Sequence, residues 1–262
     1  MRGDWLLIAL SLLVLPPACA EAPFDPFAAA GIDNRHIGQA LPADLLFTDQ
    51  RGQTVRLGEI LGQRPTLLIP LYFRCPNVCG AALSTLFSQL QPLRYQLGDD
   101  YRVLAVSFDP REDFQAAREE LARLQPRWPA MAKSPQLYLL TASAANSAAL
   151  MQVLGFGYRF DPAIQQYAHS SAVAVITPDG RLSRWLYGLG YQTDDLRLAL
   201  TEAGQGQLGT FGDQLLLLCY HYDPRTGLYS GRIIHALQAA GCLTVLVLAG
   251  FIARRLRRER RP

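Results

Sequence analysis

Two cysteines stand four residues apart in LYFRCPNVCGAALSTL (71–86), where an apolar run gives way to an Ala/Leu/Ser segment. A pair at this spacing can close a small disulfide, exchange electrons as a dithiol, or ligate a soft metal ion. Residues four apart on a helix share a face, so Cys75 and Cys79 would aim both sulfurs at one atom or at each other. Pro76 occupies the expected first helical position, which proline favours. Helix N-termini carry partial positive charge and stabilise a thiolate, the form that acts as nucleophile and as metal ligand. A purely structural disulfide here would close a very small loop and add little stability. Spacing alone does not choose between redox chemistry and metal binding.

A third ligand would. The chain has four histidines. His36 falls in a Pro-, Ala- and Gly-rich arm, His221 in the segment ahead of a C-terminal apolar run, and His235 at the edge of that run. His169 differs, because it stands in QQYAHSSAVAVITPDG directly before an expected strand, and strand-end loops carry functional groups. A lone histidine is more often a surface or core-edge residue. Copper chemistry gives a reason to weigh it as a ligand: thiolates favour Cu(I), and an added imidazole suits Cu(II) as well. Zinc normally takes a fourth protein ligand or a water, so a Cys₂His set suits it less obviously.

The elements that must position these groups follow from apolar runs and their punctuation. LLFTDQRGQTVRL (45–57) predicts a hairpin. RPTLLIPLYF (64–73) predicts a buried strand ending one residue short of Cys75, and 81–91 a helix stopped by Pro92. A strand over 101–108, a helix over 112–124, a strand over 136–141 and an Ala-rich helix over 143–154 follow. SAVAVITPDGRLSRWLYG (171–188) predicts two strands around a Pro-Asp-Gly turn, and 193–202 a last helix with Thr193 as N-cap. Alternating strands and helices predict an α/β fold of three layers with a central, mostly parallel sheet.

The ends predict where the protein resides. Residues 1–20 combine Arg2, an apolar run and Ala18-Cys19-Ala20, the pattern of a secretory signal peptide cleaved after Ala20. Cys19 could instead carry a lipid, but Pro16 and Pro17 suit a lipoprotein signal poorly. Residues 233–253 are long and apolar enough for a transmembrane helix. Six arginines follow in the tail 254–262 and mark it cytoplasmic, leaving the main domain in the periplasm or an equivalent space. The tail carries six Arg and one Glu, +5 of the chain's +3, so the remainder is 3 − 5 = −2. Such a remainder gives no reason to expect a nucleic-acid partner. The expected divisions are signal 1–20, linker or loose arm 21–40, domain 41–205, juxtamembrane segment 206–232, span 233–253 and tail 254–262.

FRCPNVCG, VSFDPRED and YAHSSAVAVITPDGRL, in this order, resemble the Sco/SenC family of copper chaperones for cytochrome oxidase. The resemblance covers roughly residues 37–204 and implies a thioredoxin-like domain. It implies copper, as Cu(I) or Cu(II), held by Cys75, Cys79 and His169. The implied partner is the copper-bearing subunit of a cytochrome c oxidase, at its CuA site, or another copper chaperone. Many members have Asp between the cysteines and Pro after the second; Asn77 and Gly80 stand there instead. The C-terminal anchor, with CYHYDPRTGLY (219–229) ahead of it, looks like a bacterial branch. Cys219 and His221 there would be a second, weaker copper contact, a membrane-proximal docking element or, more simply, a packed juxtamembrane turn. The alternative to a chaperone is a thiol–disulfide oxidoreductase using Cys75 and Cys79, to which His169 would be incidental. A peroxidase-like relative using Arg74 beside Cys75 is a third reading.

Overall fold

A computed structural model describes residues 30–75 and 79–208, with Tyr222–Asp223, Leu228–Tyr229 and Thr244; the side chains of Cys79 and of the two short strands are not among what it describes. The expected signal peptide with Cys19, the anchor with His235 and Cys242, the tail, and the Cys219/His221 pair lie outside the described residues. Among the described residues no helix is long and apolar enough to cross a membrane.

The elements are β1 (Leu46–Thr48), β2 (Thr54–Arg56), α1 (Leu57–Ile60), β3 (Thr66–Leu71), α2 (Cys79–Leu90), β4 (Arg102–Ser107), α3 (Phe114–Leu124), α4 (Pro129–Ala132), β5 (Leu137–Leu140), α5 (Ala144–Leu154), β6 (Tyr158–Asp161), β7 (Gln166–His169), β8 (Ala172–Ile176), β9 (Leu182–Tyr187) and α6 (Thr193–Gly204). A short pair, β10 (Tyr222–Asp223) and β11 (Leu228–Tyr229), is antiparallel. The central sheet runs β5-β4-β3-β8-β9. It is mixed: β3, β4 and β5 pair in parallel, while β8 is antiparallel to both β3 and β9. The expected mostly parallel sheet is thus only half right in its pairings, because the Pro-Asp-Gly turn folds β8 and β9 into a hairpin.

Every residue of β3 is buried, as is β4 after its first residue. Strands covered on both faces read as continuous apolar runs, which is why both were legible. Pro70 lies in β3 without an N–H to give. The β3–β8 ladder stops at Leu68↔Ala174, before it would need one. The outer edge of β5 is covered differently. The buried Gln50 side chain donates to Leu137 O (2.9 Å) and accepts from Leu139 N (3.0 Å), so its amide stands in for a strand.

Helix ends agree with local chemistry. Asp113 caps α3 by accepting from Gln115 N and Ala116 N, and Ser143 caps α5. Thr193 is not the cap of α6: Gln192 is, in a reciprocal box with Asp195, while the Thr193 hydroxyl contacts Gln89 of α2. Phe87 of α2 meets Trp128 edge-on at 5.6 Å.

Residues 30–40 are not a loose arm. Ile32 bridges Phe156 and Ala40 bridges Arg181. Asp33 N donates to Gly155 O, Gly157 N to Gly31 O, and the His36 ring contacts Val153 O. Gly155 ends α5 with φ +66°, and a Cβ there would stand 2.5 Å from Asp33 O. Gly155→Ala is expected to lower the thermal unfolding midpoint, the left-handed strain alone costing about 1–2 kcal/mol, and to expose residues 30–40 to protease. An unchanged midpoint and cleavage pattern would show that the arm is not seated there.

Candidate metal centre

His169 closes β7 of a ribbon absent from the expected element order. β6 and β7 pair antiparallel with Tyr158↔His169 and Phe160↔Tyr167. Side chains alternate along a strand, so these four rings share one face. The tip turn is fixed by Asp161, whose carboxylate accepts from Ala163 N at 2.8 Å. A two-stranded ribbon is marginal alone; this one rests on the ends of β3 and β4. Phe108, one residue past β4, stacks on Tyr158 at 4.7 Å and meets His169 at 5.0 Å and Tyr167 at 5.5 Å. Tyr72, one residue past β3, meets Tyr167 at 5.5 Å and His169 at 5.9 Å.

This apolar seat sets the state of the imidazole. Burial pushes the His169 pKa below its ordinary value, and the Ser170 carbonyl only partly opposes that. His169 Nδ1 lies 2.9 Å from Ser170 O. A carbonyl can only accept, so a neutral ring there carries its proton on Nδ1 and its lone pair on Nε2. That is the form in which an imidazole ligates a metal.

Cys75 is half-buried and packs against the core, three residues beyond Tyr72. Cys75 lies outside any helix and α2 is described from Cys79; residues 76–78 between them, the Cys79 side chain, and with them the expected shared helix face, lie outside the described residues. His169 thus lies against Tyr72, which stands three residues before Cys75 in the chain, at the end of the sheet where β3 and β4 finish. Among the described residues, which do not include the Cys79 side chain, no three His, Cys, Asp or Glu side chains gather to hold an ion.

Residues of VSFDPRED beyond the strand end dock the ribbon and the cysteine loop. Asp109 is buried; it pairs with Arg111 (2.7 Å) and takes a long bond from the Tyr167 hydroxyl (3.4 Å). Arg111 lies over Phe160 at 4.7 Å and Tyr167 at 5.4 Å, two cation–π contacts to the ribbon. The Glu112 carboxylate accepts from Phe73 N (2.8 Å), Arg74 N (2.6 Å) and the Ser107 hydroxyl (2.6 Å). Arg123 donates to Phe73 O at 3.0 Å and pairs with the buried Glu120. Charged residues directly after a strand were the available signal for these roles, but their targets lie about 40 to 60 positions away, as for Glu112 with Phe73 and Asp109 with Tyr167. Arg74, considered above as a partner for Cys75, faces Glu119 at 3.6 Å.

The SCO1/SenC family model matches residues 36–199. A candidate electron transfer protein from Aquifex aeolicus VF5 superposes with a TM-score of 0.57 at 22% identity, covering 67% of this chain and 98% of its own. Arabidopsis thaliana ScoI with copper bound gives a TM-score of 0.51 at 19% identity, covering 65% of this chain and 99% of its own. These likenesses show the fold, a mixed α/β domain of thioredoxin type. No curated protein sequence matches the chain.

The Asp109 clamp has a pH signature. Burial pushes this carboxyl up, but hydrogen bonds and charge from Arg111, with the Tyr167 hydroxyl, outweigh it and hold it below the usual 3.8. A depressed folded value stabilises fully above the unfolded value and is lost as pH falls through the folded one. Below about pH 4, the acid-unfolding curve of Asp109→Asn should therefore be flatter than the parent's, from a lower plateau at neutral pH. Parallel curves would remove Asp109 from the clamp.

Proposed function

Because this chain belongs to the SCO1/SenC family, we propose that it is a copper chaperone serving assembly of the CuA site of a cytochrome c oxidase, with the Cys75 and Cys79 thiolates and the His169 imidazole holding the ion. The observation that carries this reading is the edge contact of His169 with Tyr72 at 5.9 Å, which seats a neutral imidazole beside the loop that leads to Cys75. The donors fit the cargo: two thiolates suit Cu(I), and the added imidazole accommodates Cu(II). The plant neighbour of the same fold, solved with copper bound, supports copper as that cargo.

The chain's placement is part of the proposal. A signal peptide over 1–20 exports it, and residues 206–232 lead to a single span over 233–253, with the tail 254–262 in the cytoplasm. The domain then works in the periplasm of a bacterium. A tether of this kind raises the donor's effective concentration at a membrane-bound acceptor, be it the oxidase subunit or another copper chaperone.

Anaerobic copper titration of the full chain in detergent tests this. One copper per chain is expected, lost in Cys75→Ser and in Cys79→Ser. His169→Ala should bind far more weakly and lose the parent's thiolate-to-Cu(II) absorption. If His169→Ala binds both oxidation states as the parent does, that ligand assignment fails. A mixed disulfide trapped in Cys79→Ser, with no copper uptake by the parent, would establish the thiol–disulfide oxidoreductase instead.

A further inference from the structure

We propose that Glu112 is a positioning residue for Cys75, acting by gripping the peptide N–H groups that lead to it; this rests on the copper reading above. The sheet cannot do that work. The β3–β4 ladder ends at Leu71↔Ser107, with Phe108 N donating to Leu71 O as its last bond. Phe73 and Arg74 therefore lie beyond the reach of β4's backbone, and Phe73 is buried where water cannot serve its amide. Glu112 replaces the missing strand: Oε2 accepts from Phe73 N and the Ser107 hydroxyl, and Oε1 accepts from Arg74 N. The other side of the same peptide is held by Arg123, which donates to Phe73 O and is itself paired to Glu120. Both faces of the segment before Cys75 are thus fixed by charged groups from the segment 112–123.

The carboxylate is itself pre-set. Glu112 N donates to Asp109 O, and Asp113, the next residue, caps α3. The chemistry also demands a carboxylate rather than any polar group of that size. Its oxygens accept on both sides and present no proton. A glutamine of the same shape can accept at only one atom and would turn its NH₂ on either Phe73 N–H or Arg74 N–H, displacing the segment that aims Cys75. Groups that orient a metal ligand from behind commonly contribute about 10- to 100-fold in affinity.

The test compares Glu112→Gln and Ser107→Ala in the full chain, each folded as judged by circular dichroism. Ser107→Ala removes one donor to Glu112 but leaves both backbone grips, so it controls for lost stability. Glu112→Gln should lower copper affinity about 10- to 100-fold and shift the thiolate-to-Cu(II) absorption, while Ser107→Ala keeps the parent's spectrum. In the reduced, copper-free chain, the Cys75 peptide of Glu112→Gln should alkylate severalfold faster than the parent's. The lost negative charge and the loosened segment both push that way. An unchanged Cys75 alkylation rate overturns the proposal, as does a fall in affinity that merely tracks the unfolding midpoints of the two variants. A parent that takes up no copper would overturn the copper reading alone, and the alkylation comparison would still decide the role of Glu112.

Discussion

The contact between Phe108 and the inner face of the β6–β7 ribbon is what the rest of the site depends on. Phe108 is fully buried and touches Tyr158, Tyr167 and His169. Buried aromatic pairs add about 0.5–1.5 kcal/mol each beyond the area they remove from water. A ribbon whose strands are four residues long has little stability of its own. Its order is borrowed from this ring, and with it the position of the imidazole. The Asp109–Arg111 pair then fixes the register of the ribbon on the loop, since Arg111 reaches two of its rings.

Polar groups at this end of the sheet carry a cost that the geometry offsets. Glu112, Glu120 and Asp109 are all buried carboxylates, and unpaired buried charges are expensive. Each is answered at hydrogen-bond distance: Asp109 and Glu120 by arginines, Glu112 by two backbone amides and a hydroxyl. The Glu112 arrangement differs in kind, because its partners are neutral and two of the three belong to the loop being positioned. Burial pushes the Glu120 carboxyl up even beside Arg123, whereas Arg111 holds Asp109 down. The contrast follows partner geometry, since Arg111 meets Asp109 through two nitrogens and its backbone amide.

His169 and Cys75 come from elements with different support. The cysteine loop extends from the central strand β3, which is paired on both sides. The histidine hangs from a ribbon outside that sheet. A site assembled from one rigid and one docked part has its geometry set at the dock, and here the dock is aromatic and largely dry. The same dryness keeps the imidazole neutral, so position and protonation share one cause.

Much of this was legible in the chain itself. The fully buried runs of β3 and β4 announced themselves through unbroken apolar residues, and the Pro-Asp-Gly turn marked the β8–β9 hairpin through short-range hydrogen bonding. Cys75, Cys79 and His169 stood out by residue type. The β6–β7 ribbon did not, because its alternating aromatics are interrupted by Asp161-Pro162 and its partners lie on β3 and β4 rather than on neighbouring strands. Nor could the seating of residues 30–40 be read, since it relies on backbone bonds to Gly155 and Gly157, distant in the chain. The sequence by itself determined which atoms could bind a soft ion and where the buried strands of the central sheet and its main helices would form, because those depend on side-chain chemistry and local periodicity. Only the tertiary structure decided where the His169 ring is buried and what grips the peptide before Cys75, because both are set by groups brought together across the end of the sheet.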